Sequence, residues 1–203
     1  MSCAIPNRMR VLSRGDFQPE RMGDTIGGEI PGIMDFMNTP KKGTRIGVVS
    51  DTHLPDVGHL PMKMLGDLEK VDAIIHLGDF CDMAAYKEFQ KIAPVIAVYG
   101  NMDCQELKAI LPEKKVIEIQ GHKLGLIHGW GPPKNLETRV VKAFGDDVEI
   151  VLFGHSHMPL FMKIEDKYVF NPGSPTLNRD ATGTYGILDL DETINHQIIR
   201  LDE

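Results

Sequence analysis

The chain has 203 residues, 42% hydrophobic and 25% charged, which suits one globular domain with a substantial core. Its formal net charge of −7 excludes the broad electrostatic attraction used by non-specific DNA and RNA binders, yet leaves small anionic substrates open, because charge at a site can oppose the global sign. Three cysteines (Cys3, Cys81 and Cys104) with no Cys-x-x-Cys spacing argue against a disulfide framework and for a reducing, cytoplasmic setting, and neither a membrane-length apolar run nor an export signal is seen.

Residues 1–42 are rich in Gly, Pro and Met and carry no sustained apolar period. They read as a poorly ordered N-terminal arm, with an internal start at Met34 or Met37 as one hypothesis. The regular pattern, and the expected domain, runs over 43–203. Arg45 to Ser50 reads as a buried strand, and His59 to Lys70 has helical spacing through Leu60, Met64, Leu65 and Leu68. Asp72 to Leu77 is a strand, Met83 to Ile92 a helix, Pro94 to Tyr99 a strand, and Cys104 to Ile110 a short helix. Lys115 to Gln120 and Lys123 to Ile127 flank Gly121-His122 as a hairpin. Leu136 to Phe144 is helical and Glu149 to Phe153 is a buried strand. Then Leu160 to Ile164, Tyr168 to Phe170, Thr184 to Leu190 and Ile194 to Leu201 follow one another without helices, as a β-meander. A βαβαβ start and an all-β end predict an α/β sandwich with two central sheets, part parallel and part antiparallel.

Five apolar strands each run into side chains that can hold a metal: Asp51 and His53, Asp79, Asn101, His128, then His155 and His157. In open α/β sheets ligands bind at the carboxyl ends of strands, where loops converge. Two carboxylates, one amide and four imidazoles suit divalent metals such as Mn²⁺, Fe²⁺, Zn²⁺ or Ni²⁺, and a thiolate-type structural zinc site is not indicated. Seven donors exceed the needs of one tetrahedral ion and suit two. Gly78, Gly100 and Gly154 each precede a donor, where a residue without Cβ permits a sharp turn. If the backbone stays extended, Asp51 and His53, and likewise His155 and His157, point to one side.

The ordered blocks Asp51-x-His53, Gly78-Asp79, Gly100-Asn101, His128 and Gly154-His155-x-His157 resemble the calcineurin-like metallophosphoesterase superfamily, in particular its small capless bacterial and archaeal phosphodiesterases. The resemblance covers about Arg45 to Leu201. It implies a four-layer α-β-β-α sandwich, with two mixed β-sheets flanked by helices (the metallo-dependent phosphatase fold). It also implies that Asp51, His53 and His157 hold one metal, that Asn101, His128 and His155 hold the second, and that Asp79 bridges. Asp79, Asn101 and His128 then stand closest to the chemistry, which is attack of a metal-bridging hydroxide on a phosphoester without a covalent enzyme intermediate. Two divalent ions, Mn²⁺ first, and a small phosphoester, including nucleotides or cyclic nucleotides, are the implied cofactors and substrate. Long nucleic acid and membrane are not expected, and a homodimer through a strand edge or the arm is left open. Asn171-Pro172-Gly173-Ser174 resembles a block of the same subgroup and reads as a turn supporting the site.

The chain departs from the family at Met102, where many relatives carry a histidine that neutralises phosphate or protonates the leaving group. Good leaving groups and diesters are therefore expected to be preferred. Among other residues, His76 reads as a packed or supporting histidine and His59 as a surface residue. His122 and His196 read as ordinary exposed residues, Cys81 and Cys104 as loop thiols, and Asp82 as the cap of the helix at Met83. Asp103 is open between capping the next helix and supporting the donors. Trp130 is open between the cleft wall and packing. The alternative function is a non-catalytic protein-assembly scaffold of the same fold, which a complete donor set disfavours.

Overall fold

The computed structural model describes residues 43–54, 57–176 and 182–201. The expected arm and its internal methionines lie outside the described residues. The strands are β1 (Thr44–Val49), β2 (Ala73–His76), β3 (Val95–Ala97), β4 (Lys114–Ile119), β5 (His122–Ile127), β6 (Ile150–Leu152), β7 (Leu160–Ile164), β8 (Lys167–Asn171), β9 (Thr184–Leu190) and β10 (Ile194–Arg200). Among the described residues the helices are α1 (Met62–Leu68), α2 (Met83–Ile92), α3 (Gln105–Ile110) and α4 (Leu136–Val141), with a 3-10 turn at Val57–His59.

Two five-stranded sheets form, in the orders β10-β9-β1-β2-β3 and β4-β5-β6-β8-β7. Each has three parallel strands, β1, β2 and β3 in one and β5, β6 and β8 in the other. Antiparallel strands complete each sheet. Ile46 and Val48 of β1, Ala73 and Ile75 of β2, Leu124 and Leu126 of β5, and Ile150 and Leu152 of β6 meet in one buried cluster between the sheets. Residues of opposite parity face outward. Val49 and Ile74 pack with Met64 and Leu68 of α1 and with Phe89 of α2. On the second sheet, Ile127 and Val151 pack with Leu136 and Val140 of α4. The period of two along the strands thus gives each sheet two apolar faces, and helices cover the outer ones. The layers are α-β-β-α, as expected.

Three expectations are corrected. The first helix begins at Met62 rather than His59, because Pro61 is its cap residue and disfavours helical backbone at Leu60. The β4–β5 turn is Gln120-Gly121, both with positive φ (53° and 81°), so His122 already belongs to β5. The last four strands are not a meander. The β7–β8 hairpin joins the second sheet, whereas β9 and β10 return to the first and pair alongside β1. The connection after β8 therefore crosses from one sheet to the other, beside the ends of β1 and β6.

Candidate metal centre

The carboxyl ends of β1, β2, β3, β5 and β6 deliver the seven donors, and main-chain and side-chain bonds draw those ends together. The N–H of His155 donates to Asp51 Oδ2 at 2.9 Å, bridging the sheets. Gly154 N donates to the carbonyl of His128 at 3.0 Å. Close approach explains two of the glycines: a Cβ on Gly100 would lie 2.1 Å from Asp79 Oδ1, and one on Gly154 would lie 1.9 Å from Ser50 Oγ.

The backbone at the donors is not extended. Asp51, His53, Asp79, His155 and His157 have φ of 55°, 50°, 59°, 67° and 58°. Left-handed backbone at both ends of each donor-x-donor triplet curls the chain. The middle residue then turns to other work. Thr52 Oγ1 lies 3.2 Å from His76 Nε2, and Ser156 Oγ accepts from Asn171 Nδ2 at 3.1 Å. The candidate donors still converge, by a different route from the one expected.

Each carboxylate has one oxygen anchored and one left facing inward. Asp51 Oδ2 accepts from Ser50 Oγ (2.6 Å) and from His155 N (2.9 Å). Its Oδ1 has no hydrogen-bond partner and lies 3.3 Å from His157 Nε2, 3.9 Å from His128 Nε2 and 4.0 Å from His53 Nε2. Asp79 Oδ1 accepts from Met102 N at 2.8 Å, and its Oδ2 lies 3.3 Å from His128 Nε2 and 3.7 Å from His53 Nε2. His128 donates from Nδ1 to the carbonyl of Leu77 (2.7 Å), which leaves the Nε2 lone pair inward, buried and without a partner. His53 Nε2 and His157 Nε2 face each other at 3.4 Å. On the more exposed side, His155 Nε2 donates to the carbonyl of Gly131 (2.8 Å), so its Nδ1 presents a lone pair to Asn101 Oδ1 at 3.0 Å.

Lone pairs facing lone pairs at these distances are what ligands of a shared cation look like, since two donors about 2.1 Å from one ion stand roughly 3.0–3.4 Å apart. The donor set therefore fits metal ions. Two overlapping groups stand out, Asp51 with His53 and His157, and Asp51 with Asp79 and His128. Protonation behaviour agrees. Burial alone would depress the His128 imidazolium, but the Asp79 and Asp51 carboxylates outweigh it and push its pKa up to about 9, so in the absence of an ion a proton on Nε2, toward Asp79 Oδ2, fills the place a cation would take. Burial would raise the Asp79 carboxyl, yet the neighbouring imidazoles and the Met102 N–H bring it below its usual range. His53 is lowered, chiefly by burial. The two inward carboxylates thus favour a positive charge beside them at His128.

The supporting residues are specific. Asp103 does not cap α3, whose cap position is Cys104. Its buried carboxylate accepts from the N–H groups of Gly100 (2.8 Å), Cys81 (2.9 Å) and Asp79 (3.0 Å). His76 is fully buried and stacks on Phe80 (centroids 3.4 Å apart), and its Nδ1 accepts from Gly78 N at 3.2 Å. Desolvation keeps it well below ordinary histidine pKa values, hence neutral. Asp82 caps α2 through Ala85 N at 3.0 Å. Cys81 is more than a loop thiol: its Sγ lies 3.5 Å from His53 Nδ1. Ser174 Oγ donates to the carbonyl of Asp51 (2.8 Å) and Asn171 Nδ2 to that of Gly154 (3.0 Å), so the Asn171–Ser174 turn holds two donor loops from behind. Trp130 packs against the cluster under α4. His59 is exposed.

His122 corrects its reading. It is largely covered, with Nδ1 2.7 Å from Glu149 Oε2 and Nε2 2.9 Å from the carbonyl of Asp191. His196 is exposed but stacks on Phe161, centroids 3.4 Å apart. Sequence reasoning missed Ser50, Thr52 and Thr176, whose hydroxyls bond around Asp51 and Thr52, although a run of hydroxyl residues beside a donor was a usable signal. It also missed Arg139, for which a cation on an amphipathic helix gave no signal.

Fold and geometry together define a class, the two-sheet α/β sandwiches with a candidate metal site at joined strand ends. Within it, the chain belongs to the calcineurin-like phosphoesterase superfamily, whose domain model matches residues 44–193. It is 34% identical over 159 residues to a probable metallophosphoesterase of Methanothermobacter thermautotrophicus, covering 76% of this chain and 91% of that one. It is 31% identical over 172 residues to a phosphodiesterase of Methanocaldococcus jannaschii, covering 76% and 98%. Among solved structures it resembles Thermotoga maritima protein TM1076 at 33% identity, with a TM-score of 0.62 over 77% of this chain and 99% of that one. Vps29 of Entamoeba histolytica with bound Zn²⁺ shares the fold at 23% identity, with a TM-score of 0.57 over 77% and 99%. Among the described residues, no helix is long and apolar enough to cross a membrane.

Proposed function

We propose that this chain is a dinuclear metal-dependent phosphodiesterase acting on a small phosphoester, with its catalytic domain over 43–203. Asp51, His53 and His157 would hold one ion, Asn101, His128 and His155 the other, and Asp79 both. The observation that carries the reading is the pair of buried, partnerless atoms, Asp51 Oδ1 and His128 Nε2, facing the other inward lone pairs. Such atoms cost stability unless a cation satisfies them. Bound there, two divalent ions, Mn²⁺ first, would neutralise the phosphoryl oxygens and make hydroxide available near neutral pH.

The chain's own residues do the rest. Asp51 and Asp79 keep one oxygen each inward because Ser50, His155 N and Met102 N hold the other. The Leu77 carbonyl fixes the His128 tautomer with its lone pair inward. The side chain of Met102 is exposed beside Asn101 and has no proton to give. The leaving group must therefore depart largely as an anion, which favours diesters with acidic leaving groups.

Hydrolysis of bis(4-nitrophenyl) phosphate with Mn²⁺, Ni²⁺, Fe²⁺ or Zn²⁺ tests this, with Asp79→Ala as the control. Activity that requires metal and vanishes in the variant is expected, with rates falling steeply as leaving-group pKa rises. Two ions bound without hydrolysis of any ester in a panel of nucleotides, cyclic nucleotides and aryl diesters would overturn it in favour of a non-catalytic assembly protein. That scaffold is the alternative, and seven competent donor side chains count against it.

A further inference from the structure

The loop that follows His128 runs Gly129-Trp130-Gly131-Pro132-Pro133-Lys134-Asn135 into α4. Two of its residues are prolines, which donate no main-chain hydrogen bond, and Gly129, Gly131 and Asn135 have positive φ (103°, 76° and 57°). Main-chain bonding holds its last residues, through Leu136 N to the Pro133 carbonyl at 3.2 Å, and leaves the Trp130, Pro132 and Lys134 carbonyls to a side chain. Arg139, one turn into α4, holds those three. Its Nη1 donates to the carbonyl of Lys134 (2.8 Å), and its Nη2 donates to the carbonyl of Trp130 (2.9 Å) and to that of Pro132. These carbonyls alternate along the chain. With those of residues 130 and 132 turned to the guanidinium, the Gly131 carbonyl between them turns the other way. There it accepts from His155 Nε2 at 2.8 Å.

We infer that Arg139 is the positioning residue for His155. It acts through the Gly131 carbonyl to fix the Nε2–H tautomer, which leaves Nδ1 free toward Asn101 Oδ1 at 3.0 Å. The inference rests on the reading above that His155 and Asn101 hold one of two ions. The group touches no substrate; it sets the direction of a lone pair. Only a planar fork reaches three carbonyls from one side chain in this way, so lysine is an incomplete replacement. The Gly131–His155 bond joins this loop to the donor set, so the ion that His155 would hold is the one the loss of Arg139 reaches first. Loss of a group that orients a ligand typically costs 10–100-fold in metal affinity.

The test uses the full chain in two measurements. Calorimetric titration with Mn²⁺ alone reads both sites, and ¹⁵N-histidine NMR of the metal-free protein reads the His155 tautomer. In Arg139→Met, one Mn²⁺ should bind at wild-type affinity, the other should weaken by about 10–100-fold, and the single Nε2–H form of His155 should be lost. If Arg139→Met does not fold, Arg139→Lys is read the same way, with a smaller loss confined to the same ion. Equal weakening of both ions, or an unchanged His155 spectrum in a folded variant, would overturn the inference. Wild-type protein that binds fewer than two ions would instead overturn the site reading on which it rests, so the two failures are told apart.

Discussion

Asp103→Ala should cripple the site without touching any proposed donor. The Asp103 carboxylate lies buried between the β2 and β3 ends and accepts three main-chain N–H groups, those of Gly100, Cys81 and Asp79. A hydrogen bond to a charged acceptor contributes about 1.5–3 kcal/mol, and an N–H left buried without a partner costs a similar amount. Three such bonds share one carboxylate and are not additive, so a loss of about 3–5 kcal/mol is expected, at the upper end for single substitutions. Asp103→Asn separates charge from shape. Oδ2 takes two of the three donors, so an amide oxygen placed there keeps two bonds and turns its NH₂ toward the N–H of Cys81. About 1–2 kcal/mol is expected for it. Urea unfolding of the metal-free protein, followed by circular dichroism, measures both. Because Asp79 and Asn101 flank these loops, Mn²⁺ affinity should fall at least about tenfold in Asp103→Ala. An Asp103→Ala unfolding free energy within about 1 kcal/mol of wild type would refute the clamp.

Gly154→Ala should lower stability by about 1–3 kcal/mol and weaken metal binding, because the new methyl meets Ser50 Oγ at 1.9 Å and Asp51 Oδ2 at 2.7 Å. Gly66→Ala is the contrast: inside α1 with nothing within 4 Å, it should raise stability by about 0.5–1 kcal/mol in the same urea unfolding assay. The His122 pKa is raised, since its bonds to Glu149 and Asp191 outweigh burial, so its contribution is full below the unfolded value near 6.5 and fades as pH rises through the folded pKa. The melting-temperature gap between wild type and His122→Gln should therefore be wider at pH 6 than at pH 9, and a gap independent of pH would count against the ion pair. Chelation should lower the melting temperature by about 5–10 °C for each ion held at ~100 times its Kd, which corresponds to about 2.7 kcal/mol. No shift on adding EDTA to metal-loaded protein would contradict the site.

The placing of the candidate donors at strand ends was legible because the signal was local. An apolar run that breaks into Gly-Asp or Gly-His marks the end of a buried strand, and parallel strands share an end. Partner choice was not local. The strand from Thr184 shows that it is buried, not what it pairs with. It joins β1, in register from Thr44 opposite Leu190, and that takes it away from β8. The same limit hid His122, which looks like a turn residue until β5 brings it beside Glu149 and the β9–β10 connection. Asp103 sits one residue before a helical cap and fits either role by spacing. Only the approach of the β2 and β3 ends decides between them. The extended backbone expected at the donor triplets failed for a related reason. Alternation describes strands, and these residues lie just beyond the strands, where Thr52 and Ser156 are drawn off by His76 and Asn171.

Five of the seven proposed donors lie in left-handed backbone. Non-glycine residues there cost of order 1 kcal/mol each, or about 5 kcal/mol together. That is comparable to the whole stability of a marginal domain. Ions alone are a poor way to offset it, since the chain would then stay unformed at the site until they arrived. The bonding pattern points elsewhere. Asp51 is held at its carbonyl and at Oδ2, Asp79 at its N–H and at Oδ1, and His128 and His155 at the ring nitrogen opposite the inward one. Every one of these bonds is made on the side away from the centre. For Asp51, Asp79 and His155 the strain is thus offset by the two-sheet scaffold and by the Asn171–Ser174 turn, and their inward atoms are available to a cation. It follows that metal-free protein should keep its fold and lose only the last increment of stability, as the chelation experiment reads, and that the residues behind the donors should be nearly as intolerant of change as the donors themselves.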